Sequence, residues 1–397
     1  MKVGLLCPVW FPVPPEGYGG IERVVAILAD GLVDAGHEVT LFASGDSQTR
    51  ARLDAVFPDA PSEWIGHTFW EMRHAVHGLK RSREFDVLND HTGLLGLALG
   101  GLLDLPFCHT VHGPLEGLPG ALYDDVLDLA PRAKLISISM NQRAPRLGFP
   151  WIANCPNALD LSMYPFRRKS GGDYLLFLGR MSPDKGAHRA LAVAIETGLP
   201  LKIAAKCREP EEIRYFDEFI RPHLAESLEY VGEVGHADKV ELLMGARALI
   251  FPIDWEEPFG LVVIEAMACG TPVITTRRGA MPEIVVHGKT GVLVDQYRDM
   301  EDPAVLELAD SLDPAVLRQE AQERFSPEHM VADYVAAYEA TIARAAATRR
   351  RRGPSARARG ATGSGVGRER STRASSPSRC SSARPIPRSS RPRGRRR

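Results

Sequence analysis

The sequence predicts an α/β fold of two parallel-sheet domains facing one another. Three observations carry this. The chain has 397 residues, 44% of them hydrophobic and 25% charged, a soluble composition longer than one ordinary core organises. Short apolar runs ending in glycine or polar residues alternate with segments of helical apolar spacing, the mark of βα units. The series then restarts after the charged, glycine-containing stretch YPFRRKSGGD (164–173), which reads as a linker.

The first series opens with KVGLLC (2–7), a buried-strand pattern, and the Pro/Gly loop VPPEGYGG. Ile21, Val24, Val25, Leu28 and Leu32 then keep helical spacing, Gly36 stops the helix, and VTLFA returns as a strand. Gly17, Gly19 and Gly20 stand at the strand-to-helix turn, where a helix N-terminus can meet an anion. Their spacing departs from GxGxxG, and a plain tight turn accounts for them equally well. FDVLNDH (85–91), PFCHTVHG (106–113) and KLISIS (134–139) read as strands, with GLLGLALGGLLDL as a buried helix between the first two. Ligands of such sheets gather at the carboxyl ends of the strands, which directs attention to Asp90, His91, His112 and Ser139. WIANCPNALD (151–160) reads as the exit from this domain.

The second series begins with the strand DYLLFLGR (173–180) and a turn into an amphipathic helix. LKIAAK (201–206), LEYVGEV (228–234) and ALIFPI (248–253) follow as strands, with helices around EEIRYFDEFIRPHL and HADKVELLMGA. Phe251–Asp295 is the densest stretch: strand, acidic loop, glycine, helix, Gly-Thr-Pro turn, strand, glycine loop, short helix, strand. PAVLELAD and a long amphipathic segment from PEHMVADY close the fold. The expected division is 1–165, 166–330, a closing helix over 331–347, and a tail over 348–397. Residues 345–397 carry 17 arginines against one glutamate, so a net-acidic body precedes a basic tail. That tail has too little apolar surface to bury and is expected to be disordered.

Composition also excludes. No run of 18 apolar residues predicts a membrane span, and MKVGLLCPVWFPVPP lacks the pattern of a signal peptide. Six scattered cysteines without CxxC spacing point to reduced thiols and a cytoplasmic protein. His109 and His112, three apart in a strand, face opposite ways, and no DxD sequence occurs. No metal site and no tightly bound cofactor are therefore expected. The tail lacks the interleaved aromatics of a nucleic-acid binder.

The chemistry-bearing residues lie in the second series. Gly179-Arg180 and Lys185-Gly186 join strand to helix, and two cations beside glycine-freed backbone suit a diphosphate. Glu257 and Glu265 bracket a helix start with seven residues between them. At about 1.5 Å per residue they lie up to roughly 12 Å apart, too far to attack one bond but suited to two ends of one elongated ligand. Gly260 lets backbone approach that ligand at the helix N-terminus. Glu265, on an otherwise apolar helix, requires a hydroxyl or a cation, such as an arginine, as partner.

The segments GYGGIERVVAILADGLVDAGHEVTLFA, TVHG, PNALD, FLGRMSPDKG, EPFGLVVIEAMACGTPVI and MPEIVVHGKTGVLV resemble the retaining glycosyltransferases of family 4, across roughly residues 1–345. The resemblance implies the GT-B architecture, two Rossmann-like domains across a cleft, and transfer of a sugar from a UDP- or GDP-linked donor to a saccharide, lipid or small-metabolite acceptor. It implies that Glu257 contacts the donor sugar with backbone near Phe259, Gly260 and Leu261, and that Glu265 holds the ribose. Arg180 and Lys185 would neutralise the diphosphate, His112 would face the reacting sugar, and Gly19 and Gly20 would border the diphosphate or acceptor. Peripheral contact with the inner membrane face stays open. The sequence departs from the family at Asn157-Ala158, commonly Asn-Gly. It departs again at Gly279-Ala280-Met281, commonly Gly-Gly before Pro-Glu, where added side chains are expected to reshape the donor pocket. A nucleotide-sugar epimerase of the same architecture and a non-catalytic polyanion binder using the tail are the alternatives.

Overall fold

The computed structural model describes residues 1–352 apart from Tyr18 and residues 168–170. The tail from 353 onward, and the disorder expected of it, lies outside the described residues.

Seven parallel strands form the first sheet. In chain order with their helices they run β1 (Lys2–Leu6), α1 (Gly20–Asp34), β2 (Glu38–Phe42), β3 (Arg52–Asp54), α2 (Thr68–Leu79), β4 (Val87–Asp90), α3 (Leu94–Gly100), β5 (Phe107–Thr110), α4 (Gly117–Leu129), β6 (Lys134–Ser137) and β7 (Trp151–Asn154). Their spatial order is β3-β2-β1-β4-β5-β6-β7. The order reverses direction at β1/β4, which opens a crevice at the carboxyl ends of those strands. Helix α1 buries Val24, Val25, Leu28 and Leu32, the face its periodicity predicted. WIANCPNALD begins as the edge strand β7 and then leaves the domain, with Leu159 at the crossing. Helix α3 covers seven residues only, because Gly100 and Gly101 interrupt the apolar run.

The second sheet has six parallel strands: β8 (Tyr174–Arg180), β9 (Leu201–Lys206), β10 (Leu228–Gly232), β11 (Ala246–Phe251), β12 (Val273–Thr276) and β13 (Gly291–Val294), in the order β10-β9-β8-β11-β12-β13. The helices between them are α5 (Ala187–Thr197), α6 (Pro210–Phe219), α7 (His236–Gly245), α8 (Leu261–Ala268) and α9 (Met281–Ile284). Here too the reversal, at β8/β11, sets the ligand edge. It is formed by the loops that carry Arg180 and Glu257.

Three helices close the described part of the chain: α10 (Pro303–Asp310), α11 (Pro314–Phe325) and α12 (Pro327–Arg352). Each starts with proline at its first position, and Asp302 and Asp313 cap α10 and α11. Helix α12 extends beyond the expected 331–347 at both ends, so residues 348–352 are helical. It packs on the first sheet: Met330, Val331, Tyr334, Ala337 and Tyr338 join the core formed by β1, β2 and α1. The chain thus crosses from one domain to the other twice. At the crossings Leu159 N–H donates to the Phe325 carbonyl at 3.0 Å.

Tyr338 is fully buried and donates to Asn89 Oδ1 at 2.8 Å. Tyr338→Phe keeps the ring and removes this bond, so stability should drop by about 1 kcal/mol. Urea denaturation measures it, and an unchanged midpoint would show that α12 is not tied to β4 through this hydroxyl.

Candidate active site between the two sheets

The two carboxyl edges face each other across a cleft of about 560 Å³, within the range of small-molecule sites. Its second-domain wall rests on the loop from Phe251 to Gly260. Gly260 adopts φ 89°, a left-handed conformation, and ends that loop at the N-terminus of α8. A Cβ there would lie 2.8 Å from Met281 Cε, so glycine is required both by the turn and by the packing beneath it.

Glu257 and Glu265 both line the cleft and both are buried. Each is held by a lysine. Lys185 pairs with Glu257 Oε2, and Lys239 pairs with Glu265 Oε1. Lys185 also sits over the Trp255 ring, 4.5 Å from its centroid. Tyr164 donates to Glu265 Oε1 at 2.8 Å. Glu265 thus has both kinds of partner expected for it, a cation, Lys239 of α7, and a hydroxyl, Tyr164 of the linker. Both bonds land on Oε1, which leaves Oε2 for a further donor. Arg180 lies 3.7 Å from Asp184 on the same loop, and Phe259, Gly260 and Leu261 line the cleft beside it.

The departure at Gly279-Ala280-Met281 does not reshape this wall. Ala280 and Met281 are fully buried, and Ala280 N–H donates to the Glu257 carbonyl at 2.9 Å. Their side chains support the Glu257 loop from the core side and are absent from the cleft lining.

Gly19, Gly20 and His112 line the first-domain wall. Gly20 begins α1, and a Cβ on it would lie 3.3 Å from Leu261 Cδ1, at the start of α8. Two helix N-termini thus converge on one cleft, and their partial positive charges add. Of the other strand-end residues, Asp90 and Ser139 are absent from the lining. Asp90 Oδ2 accepts from buried His109 Nδ1 at 2.6 Å. Ser139 Oγ donates to the Pro258 carbonyl at 2.7 Å, a tie between domains. A second tie joins Met140 N–H to Glu283 Oε2 at 2.8 Å. His91 stands behind His112, 2.9 Å from it.

Sequence reasoning passed over Lys239, Tyr164 and Glu22. Glu22 lines the cleft and is buried in the first turn of α1, and burial raises its carboxyl pKa to about 7. An acidic residue three after Gly19 at a helix start was the available signal. Burial likewise drives the His112 pKa down to about 3, with the nearby His109 adding to the shift, so His112 is neutral at physiological pH. Among the described residues no group of three or more His, Cys, Asp or Glu side chains is arranged to hold a metal ion. No described helix is long and apolar enough to cross a membrane.

Two parallel-sheet domains with their ligand edges opposed define the GT-B class. Residues 164–328 match the family model described as Glycosyl transferases group 1, and residues 18–155 match that of Glycosyltransferase Family 4. The chain belongs to this glycosyltransferase family and is an enzyme of that kind. It is 29% identical to a glycogen synthase of Mycobacterium tuberculosis over 70% of this chain and 79% of that protein. It is 24% identical to a D-inositol 3-phosphate glycosyltransferase of Pseudarthrobacter chlorophenolicus, over 75% of this chain and 84% of that one. Among solved structures, AviGT4, a glycosyltransferase involved in avilamycin A biosynthesis, superposes with a TM-score of 0.64 at 29% identity, covering 86% of this chain and 98% of that one. Sucrose-phosphate synthase from Thermosynechococcus elongatus shares the fold, with a TM-score of 0.70 at 19% identity over 86% and 99% of the two chains.

Glu22 gives this site a pH signature. Its pKa is raised from 4.5 to about 7, so its folded form holds a proton that the unfolded chain releases between those values. Its contribution to stability is present below 4.5 and lost as pH rises through 7. Glu22→Gln removes that loss. The stability of the variant relative to wild type should rise by about 2–3 kcal/mol between pH 4.5 and 8. Denaturation at both pH values checks this, and a pH-independent difference would contradict it.

Proposed function

We propose that this glycosyltransferase takes its sugar from a UDP- or GDP-linked donor and transfers it with retention of anomeric configuration to a hydroxyl of a saccharide or polyol. The observation that carries the reading is the convergence of two helix N-termini, Arg180 and Lys185 on one cleft that His112 faces from the opposite domain. A diphosphate is the group that this arrangement suits. Arg180 offers a bidentate fork, Lys185 a point charge, and α8 its first amides, at Leu261 and Val262, ahead of Val263, whose N–H donates to the Gly260 carbonyl. These donors are already in place where negative charge develops as the nucleoside diphosphate departs. Glu257 then accepts from hydroxyls of the donor sugar, Glu265 accepts from the ribose through Oε2, and Gly19 and Gly20 border the diphosphate from the other wall.

Three cleft carboxylates are tied to cations: Glu257 to Lys185, Glu265 to Lys239, and Glu233 to Arg208. The fourth, Glu22, is buried in the first turn of α1 and keeps its proton up to about pH 7, so no cleft carboxylate stands as an unpaired anion ready to attack the anomeric carbon. Front-face transfer is the mechanism we favour, with an oxygen of the departing phosphate taking the acceptor proton. Trapping a sugar covalently on a side chain would overturn that preference. The acceptor side presents Trp10, Phe11, Ile65 and Thr92, a surface on which a sugar ring can stack.

Glu257→Gln keeps the shape of the side chain and removes its charge. It should lower transfer by on the order of 100-fold with the fold retained by circular dichroism. Undiminished transfer from any nucleotide sugar that the wild type uses would place the reaction elsewhere.

A further inference from the structure

Behind the cleft histidine runs a buried hydrogen-bond chain with a fixed direction. Asn89, on β4, is fully buried. Its Nδ2 lies 3.4 Å from the carbonyls of Asp90 and Cys108 and 3.1 Å from Thr110 Oγ1. Carbonyls only accept, so this end of the amide must be the nitrogen; turned over, it would set oxygen against oxygen. The other end, Oδ1, accepts from Tyr338 at 2.8 Å and lies 2.9 Å from His91 Nε2. An amide oxygen cannot donate, so His91 carries its proton on Nε2. His91 is 1% exposed, and burial, together with its histidine neighbours, holds its pKa well below the usual value, so it is neutral with one N–H. Its Nδ1 must therefore accept. The atom facing Nδ1 is His112 Nε2, at 2.9 Å, which must donate.

We propose that Asn89 and His91 lock His112 into its Nε2–H tautomer, so that a bare Nδ1 is available in the cleft to accept a hydrogen bond from a substrate hydroxyl. The part played by the substrate rests on the glycosyltransferase reading; the tautomer does not. His91 is a positioning residue and is absent from the cleft lining. The ring nitrogen that meets substrate is chosen by the bond the other nitrogen makes, and here that choice passes from β4 through two imidazoles. Tyr334 and Tyr338 of α12 close the chain from behind, through Thr110 Oγ1 at 3.3 Å and Asn89 Oδ1. Helix α12 thus supports the first-domain wall of the cleft.

The test compares wild type, His91→Phe and His91→Asn as full-length proteins with ¹⁵N-labelled histidine. Asparagine can place an acceptor near the position of Nδ1, whereas phenylalanine leaves His112 Nε2–H facing a ring. The wild type should show His112 protonated on Nε2. His91→Phe should show protonation on Nδ1, with kcat lower by on the order of 10- to 100-fold and donor KM within about twofold. His91→Asn should recover the Nε2–H signal and most of kcat. Wild-type His112 protonated on Nδ1 would overturn the proposal whether or not the variants fold, as would His91→Phe with wild-type kcat. If the wild type transfers no sugar, the functional reading fails, and the ¹⁵N signal still decides the tautomer.

Discussion

Two buried carboxylates, each neutralised by a lysine, hold the second-domain wall of the cleft in its working shape. Glu257 and Glu265 would carry a large desolvation cost if unpaired, and removing either lysine would leave a buried charge without compensation. Lys185 comes from the turn after β8 and Lys239 from α7, so the pairs join elements far apart in the chain. They fix the loop before α8 and the helix itself. Gly260, the left-handed turn and the packing of Met281 beneath it then set where the amides of α8 begin. The same pairs compensate the two carboxylates of this wall, so an anion at the N-terminus of α8 does not meet an unpaired Glu257 or Glu265.

The first domain contributes by different means. Its wall is formed by the glycine turn at the start of α1, by Glu22 and Arg23 of that helix's first turn, by aromatic side chains and by neutral imidazole. Burial keeps His112 uncharged, and hydrogen bonds rather than ion pairs orient it. Ion pairs thus hold the carboxylates of one wall, and hydrogen bonds hold the imidazole of the other. The ties of Ser139 to Pro258 and of Met140 to Glu283 bring them together beside the cleft.

Much of this was legible in sequence because parallel sheets write their pattern locally. The apolar runs located most strands, Gly36 and Gly260 located helix ends, and the stretch holding Glu257 and Glu265 was singled out before either was seen to line the cleft. Relationships across the fold were not legible. Nothing local says that Lys239, 26 residues before Glu265, meets it, or that Tyr338 reaches Asn89. Ser139 stood at a strand's carboxyl end and was expected near the chemistry. It serves as a domain tie because β6 lies beside the second domain's loop. The short strand β3 and the edge strand β7 were missed because three or four residues with mixed polarity carry no periodicity. The substitutions at Ala280 and Met281 looked like intrusions into the pocket, since sequence does not reveal that this turn faces the core.

The proposed function depends on recognition of a diphosphate by Arg180, Lys185 and the N-terminus of α8. Calorimetric titration of the full-length protein with UDP and GDP, each against its monophosphate, tests it most directly. At least one diphosphate should bind roughly tenfold or more tightly than its monophosphate, and Arg180→Ala should erase most of the difference. Equal affinity for diphosphate and monophosphate, or a preference untouched by loss of Arg180, would contradict the account.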